Sequence, residues 1–105
     1  MSPLGRLRKI CLAFPGAEER ESWGHPVFYV RDKCFAAFEP KDGRAAVAVR
    51  IDPLDAGIFA EDRRFFVTPY GRGKWISVWA DGKIDWKLVA QLVESSYAIA
   101  TRKRR

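Results

Sequence analysis

Short β-rich segments separated by turn residues fill the middle of this chain, and an amphipathic helical segment stands at each end. Consecutive strands with helices segregated around them are typical of an α+β layer rather than a parallel α/β sheet. We therefore predict the element order α-β(3)-α-β(2)-α, in which an antiparallel sheet carries helices packed on it. At 105 residues the chain has the length of one domain with one core.

Three helices are predicted from capping residues and apolar spacing. The first begins at Ser2-Pro3, where a hydroxyl group precedes a proline at the first helical position. A short second helix begins at Asp52-Pro53 and carries Leu54 and Ile58. The third helix, capped by Asp85, has a predicted inward face made of Leu88, Val89, Leu92, Val93, Ser96 and Tyr97.

Strands are predicted where β-branched and aromatic residues cluster between turn signals. Asp32-Lys33 joins the first two strands in a tight hairpin, and a turn at residues 40–43 leads into the third. We interpret Glu18 to Trp23 as a polar connection without a strand. The predicted strands are Pro26–Val30, Cys34–Phe38, Ala45–Ile51, Phe65–Thr68 and Trp75–Trp79.

The positive charge of the chain is concentrated in its last residues. Net charge is +6, and the run Arg102-Lys103-Arg104-Arg105 supplies +4, which leaves 6 − 4 = +2 for the rest. We predict a single domain over residues 1–100 and a basic tail over 101–105, and terminal runs of this kind are usually solvated ends. Such tails add salt-sensitive attraction to polyanions, so the pI alone is weak support for nucleic-acid binding.

Cysteine usage and hydropathy limit the compartment and the chemistry. Cys11 and Cys34 each lie in an apolar segment without a ligand-spaced partner, so both are predicted to be buried free thiols. The sequence contains no basic-then-apolar leader and no stretch near the roughly 18 apolar residues that span a bilayer. We expect a cytoplasmic protein that uses no membrane, cofactor or metal.

The most informative local sequence is the glycine-rich segment between the last two predicted strands. Its residues Tyr70, Arg72, Lys74 and Trp75 place cations and aromatic rings at a hairpin tip. Backbone amides and basic side chains hold phosphate, and an aromatic ring stacks on an unpaired base. The alternative is a solvated turn in which Trp75 starts a buried strand.

A second basic tip is predicted at the turn that carries Lys41 and Arg44. If both tips face the same side, the two hairpins act as paired wings on DNA. Acidic neighbours such as Glu39 and Asp42 would interrupt a continuous positive face and favour a protein partner instead.

Trp23 and His25 are candidates for a small-molecule pocket, because aromatic and polar loop residues often bind ligands. Structural packing of both residues where the strand begins is the competing interpretation. One histidine is not a metal site, since zinc or iron needs two or more further ligands. Serine, carboxylate and lysine residues stand in no nucleophile-elbow or phosphate-loop spacing, so the sequence predicts no catalytic residue and no enzyme activity.

Four motifs in a fixed order carry a family resemblance. They are Trp23-Gly24-His25-Pro26-Val27-Phe28, Ile51-Asp52-Pro53, residues 69–78, and Asp85-Trp86 followed by Glu94-Ser95-Ser96-Tyr97. In this combination the chain resembles the MmcQ/YjbR family over nearly its whole length before the tail. The resemblance implies a compact α+β domain similar to secretion-chaperone-like and CyaY-like folds. Relatives often place lysine before glycine where this chain reads Arg72-Gly73-Lys74.

Three functions are expected, in descending order. The resemblance implies a double-wing DNA-binding module without enzyme activity, and the residues predicted to contact DNA are Lys41, Arg44, Tyr70, Arg72, Lys74 and Trp75. A protein-interaction or chaperone-like module, self-association included, is the second. A small-molecule site near Trp23 and His25, with or without enzyme activity, is the third.

Overall fold

A computed structural model of the protein describes residues 2–69 and 73–102. Within them, six strands form one antiparallel sheet in the order β1-β2-β3-β4-β6-β5. The strands are β1 (Glu18–Ser22), β2 (His25–Val30), β3 (Lys33–Phe38), β4 (Ala46–Arg50), β5 (Phe65–Val67) and β6 (Trp75–Trp79). The helices are α1 (Pro3–Cys11), α2 (Ala56–Ala60) and α3 (Trp86–Thr101), with a 3-10 turn at Pro53–Asp55. The α+β class is confirmed.

Strand β1 corrects the prediction that Glu18 to Trp23 is a connection. It pairs antiparallel with β2 along its whole length, from Glu18 opposite Tyr29 to Ser22 opposite His25. Four of its five residues are charged and exposed, so the alternation of apolar and polar residues that marks a half-buried strand is missing. The number of strands before the second helix is therefore four rather than three.

Three successive hairpins are closed by two-residue turns in which both central residues have positive φ. These pairs are Trp23-Gly24, Arg31-Asp32 and Asp42-Gly43. Positive φ at both positions matches the right-handed twist of the flanking strands. Only the second and third pairs contain the aspartate that such turns favour; Trp23, at φ 53°, is a bulky residue in the left-handed region.

Replacing Trp23 with asparagine should stabilise the domain. A left-handed conformation costs an L-residue about 1–2 kcal/mol, and asparagine tolerates it better than tryptophan. We expect the free energy of unfolding of Trp23→Asn to rise by about 1 kcal/mol in urea denaturation. Trp23→Ala is the matched control, since it removes the ring and keeps the strain; a gain as large in that variant would contradict the backbone explanation.

Both long helices begin at the residues predicted from their caps. The Ser2 hydroxyl accepts a hydrogen bond from the Gly5 amide at 3.0 Å, and the Asp85 carboxylate accepts one from the Lys87 amide, also at 3.0 Å. Each bond satisfies an amide that the first helical turn leaves without a partner. The cap sequences thus fix where α1 and α3 start.

Helices α1 and α3 pack on one face of the sheet and enclose the core. Phe35 on β3 is fully buried there, with its ring 6.2 Å from that of Phe14 and 5.3 Å from that of Tyr97, both in edge-to-face geometry. The Tyr97 hydroxyl donates a hydrogen bond to the carbonyl oxygen of Pro15 at 2.6 Å. This aromatic cluster ties α3 to the segment after α1. The other fully buried large side chains are Phe28, Leu7, Ile76, Val47, Val49, Val89 and Val93.

One buried hydroxyl joins α3 to the sheet. Pairing between β3 and β4 ends at Ala36 and Val49, next to an irregularity in the pairing of β2 with β3. Beyond this last pair, the fully buried Ser96 hydroxyl lies between the two strands. It donates a hydrogen bond to the Phe35 carbonyl oxygen at 2.5 Å and accepts one from the Arg50 amide at 2.8 Å. It therefore satisfies two backbone groups that the sheet leaves unpaired.

The short second helix forms where the Asp52-Pro53 signal predicts it, and its apolar residues differ in how far they are exposed to solvent. The Asp52 carboxylate caps the 3-10 turn by accepting from the Leu54 amide at 3.0 Å. Leu54 and Ile58 are exposed, whereas Phe59 packs against Phe65 of β5 with ring centroids 4.9 Å apart. Among the described residues, no helix is long and apolar enough to cross a membrane.

Candidate functional site

The sheet face opposite the helices carries aromatic side chains around an apolar floor. Side chains from β2, β3, β4 and β6 meet there around a small buried apolar floor of Val27, Ala37 and Ala48. Tyr29 and Trp75 are half-buried against this floor. We call this surface the open face, since helices α1 and α3 cover only the other side.

A concavity of about 470 Å³ lies on the open face. Its described lining residues are Ser22, Trp23, His25, Val27, Tyr29, Cys34, Ala37, Glu39 and Trp75. The floor is made of small side chains and the walls carry aromatic rings, which is the usual composition of a site for a small organic group. We call it the aromatic concavity.

The aromatic concavity brings together three residues that the sequence singled out. Trp23 and His25 were candidates for a pocket, and Trp75 was a candidate for stacking on a base. Trp23 is 96% exposed, so the competing interpretation, that Trp23 packs structurally where the strand begins, is wrong. Trp75 starts a strand as the alternative proposed, yet its side chain lies on the open face rather than in the core.

Guanidinium groups stand over several aromatic rings of the open face. The guanidinium carbon of Arg50 lies 5.0 Å from the Trp75 ring centroid, and that of Arg20 lies 4.5 Å from the Tyr29 centroid. Arg50 also donates from its Nε to the Cys34 carbonyl oxygen at 2.6 Å. Such contacts fix the orientation of both the cation and the ring.

Four cations meet at one end of the sheet. Lys33, Arg50, Lys74 and Arg102 line a second concavity of about 480 Å³, together with Ile51, Pro53, Ile99 and Ala100. None of these described lining residues is acidic. The cations come from the starts of β3 and β6, the end of β4 and the end of α3, so the fold gathers charges that are far apart in the sequence. We call this group of four cations the basic end.

The predicted second basic tip lies at the opposite end of the sheet. The backbones of Lys41 and Arg44 form an isolated antiparallel β-bridge in the turn that precedes β4. The Lys74 carbonyl oxygen accepts a hydrogen bond from the Ile51 amide just after β4 ends. Five residues of strand, about 16 Å, separate the two tips. The described residues therefore do not bring the two predicted wings together. Tyr70 and Arg72 lie outside the described residues.

Arg44 is already engaged by protein groups. Its guanidinium forms a two-point ion pair with the Asp81 carboxylate at 2.8 and 3.1 Å, and stacks 3.9 Å from the Trp79 ring centroid. The hydrogen bonds from Arg44 lower the pKa of the Asp81 carboxyl group. This end of the sheet is thus partly neutralised, whereas no ion pair between described residues engages a cation of the basic end.

Burial disfavours the thiolate form of both cysteines. Burial raises the pKa of Cys11, which lies in the core, and also that of Cys34, which borders the aromatic concavity. The prediction of buried free thiols is confirmed for Cys11 and is wrong for Cys34, which is half-buried. Within the described ranges, no three histidine, cysteine or acidic residues are grouped as metal ligands would be.

Sequence reasoning missed most of the basic end. Lys74 was predicted from its glycine-rich tip, and Arg102 was assigned to a tail although it follows directly on α3. Lys33 was assigned to a turn and Arg50 to a strand, without any binding role. Only the strand register, which sets Arg50 opposite Trp75, could have linked these cations to the aromatic residues.

A single antiparallel sheet with helices on one face defines a two-layer α+β class, and known structures of this class match the chain. The crystal structure of a Deinococcus radiodurans protein with a DUF419 domain is 19% identical over 97% of this chain and 83% of that one, with a TM-score of 0.82. A Pseudomonas syringae protein is 14% identical over 91% of this chain and 97% of that one, with a TM-score of 0.76. These likenesses concern the fold.

A weaker structural match, with a TM-score of 0.56, is a Bacillus subtilis protein of the DUF1801 family, 18% identical over 89% of this chain and 71% of that one. The model of the YjbR family matches residues 12–99, and the chain therefore belongs to the YjbR family. This agrees with the resemblance found in the four sequence motifs. No curated protein matches the chain.

Proposed function

We propose that this domain is a non-enzymatic DNA-binding module whose phosphate contacts are made by the basic end. The observation that carries the proposal is a concavity lined by four cations, with no carboxylate among its described lining residues. Phosphate contacts supply most of the affinity of proteins that bind DNA without strong sequence preference. Lys33, Lys74 and Arg102 are exposed, and no ion pair among the described residues neutralises any of the four cations. Such a cluster is the surface that phosphate binding requires.

The basic end supports phosphate binding better than the turn at Lys41 and Arg44. Arg44 would have to give up its ion pair with Asp81 and its stacking on Trp79. Lys74 and Arg102 are exposed at the basic end. The proposal therefore moves the main phosphate contacts away from one of the two tips that the sequence suggested and keeps Lys74 from the other.

The geometry of the cations also suits a backbone that carries regularly spaced charges. Arg50 is held in place by its bond to the Cys34 carbonyl, so its guanidinium loses little freedom when an anion arrives. Lys33, Lys74 and Arg102 are exposed and adapt to the phosphates. If each cation neutralises one phosphate, log K falls with log of the salt concentration at a slope of about −3 to −4.

The test is a salt titration of DNA binding by fluorescence anisotropy. We expect duplex and single-stranded oligonucleotides to bind at low salt, and Lys33→Ala/Lys74→Ala to weaken both and to reduce the salt slope by about 2. The matched control is Lys9→Ala/Lys87→Ala, which removes the same charge from exposed helical positions outside both concavities. Undetectable binding at low salt, or equal losses in the two double variants, would overturn the proposal.

A further inference from the structure

We infer that the aromatic concavity receives an unpaired base of single-stranded DNA, while the basic end holds the adjoining phosphates. This inference rests on the proposed function and specifies its substrate. It assigns a role to the open face, which phosphate binding alone leaves unexplained.

The two concavities are neighbours in the structure. Lys33 lines the basic end and the next residue, Cys34, lines the aromatic concavity; the same holds for Lys74 and Trp75. Arg50 belongs to the basic end and stands over the Trp75 ring. We therefore expect a nucleotide whose phosphate binds Arg50 to place its base over the open face.

The chemistry of the aromatic concavity suits a flat heteroaromatic group. Val27 and Ala37 provide a low apolar floor, and the rings of Tyr29 and Trp75 form its sides. Proteins that bind single strands combine a basic groove along the backbone with aromatic side chains on which bases stack. Both parts are present here, side by side, with Glu39 as the one carboxylate among the described residues that line the aromatic concavity.

Trp23 gives an independent indication of ligand contact. Its side chain is 96% exposed at the mouth of the aromatic concavity, which removes no apolar surface from water in the free protein. Its backbone is in the left-handed region, at φ 53°, where a tryptophan is strained. Strained residues that contribute nothing to packing concentrate at binding sites. A ring displayed in this way can stack on a base without any rearrangement of the fold.

Polar groups lie where they can contact the edge of a base. Ser22 and His25 face each other across the β1–β2 pair and line the aromatic concavity beside Trp23. A hydroxyl group and an imidazole ring both donate and accept hydrogen bonds, so they can contact more than one kind of base. We therefore expect weak preference among bases and strong preference for unpaired over paired ones, since bases in a duplex are already stacked on each other.

The deciding experiment compares a single-stranded oligonucleotide with an abasic oligonucleotide of the same length, which carries the same phosphates and no bases. Binding of both is measured by fluorescence anisotropy at one salt concentration. We expect the wild-type protein to prefer the base-containing strand by about 5- to 150-fold, the range for stacking of one base on an aromatic side chain. Trp23→Asn should reduce that preference toward one, with little change in its affinity for the abasic strand.

Leu54→Asn is the matched control, because Leu54 is 89% exposed and lies outside the aromatic concavity. It should leave the preference unchanged. Trp23→Asn should remain folded, since asparagine suits the turn, and its unfolding midpoint verifies this in the same sample. Equal binding of the two strands by the wild-type protein, or an unchanged preference in Trp23→Asn, would overturn the inference. Binding of the abasic strand tests the proposed function separately, because that binding must still weaken in Lys33→Ala/Lys74→Ala.

Discussion

Replacing Phe35 with alanine should lower the free energy of unfolding by about 3–5 kcal/mol, the range for removal of a fully buried aromatic ring. Phe35 has no exposed surface and packs edge-on against Phe14 and Tyr97. The ring therefore joins β3, α3 and the segment after α1, and its loss leaves a cavity among all three. Equilibrium unfolding in urea, followed by tryptophan fluorescence and circular dichroism, measures the change.

A loss of this size is a large part of the stability of a small domain, so Phe35→Ala could fail to fold. Phe35→Leu then serves as the second variant, because leucine retains most of the apolar volume and should give a smaller loss in the same direction. Leu54→Ala is the surface control and should stay within about 0.5 kcal/mol of the wild-type protein. A Phe35→Ala variant as stable as Leu54→Ala would contradict the arrangement of the core.

Replacing Ser96 with alanine should lower the free energy of unfolding by about 2–5 kcal/mol. The Ser96 hydroxyl bonds both the Phe35 carbonyl and the Arg50 amide, and it is fully buried. Alanine leaves both backbone groups without a partner, and each unsatisfied buried group costs about 1–3 kcal/mol. The higher helix propensity of alanine offsets only a few tenths of this loss.

Ser95 provides the control, since it precedes Ser96 on α3 and is exposed. Ser95→Ala makes the same chemical change without removing a buried hydrogen bond and should be nearly neutral. Hydrogen exchange of the Arg50 amide adds a local measurement: the amide should be protected in the wild-type protein and in Ser95→Ala, and exchange much faster in Ser96→Ala. Unchanged protection in Ser96→Ala would show that the amide has another acceptor.

The helices and five of the six described strands could be predicted from local signals, whereas β1 could not. Capping residues such as Ser2 and Asp85 act within a single turn of helix, so the sequence alone specifies them. Strand β1 depends on pairing with β2 through a turn at Trp23-Gly24, and tryptophan is unusual at a position with positive φ. Its charged residues also lack the alternation by which strands are recognised.

The site was only partly predictable from the sequence, because part of it also depends on how the strands pair. Trp23, His25 and Trp75 stand in conspicuous local sequences, and the structure places them around one concavity. Lys33 and Arg50 are ordinary cations in the sequence, and their meeting with Lys74 at the basic end depends on the register of three strands. Information of that kind is not present in any short segment of the chain.

The charged edge strand has a bearing on how this protein behaves at high concentration. Unpaired strand edges are templates on which further chains add, and β1 presents a row of exposed glutamate and arginine side chains along one edge. At the other edge, β5 offers three residues, too few to hold an added strand firmly. Growth into fibres by edge-to-edge addition is therefore opposed at both borders of the sheet. The protein can thus keep the aromatic concavity and the basic end exposed to water without either one adjoining an edge on which further chains add.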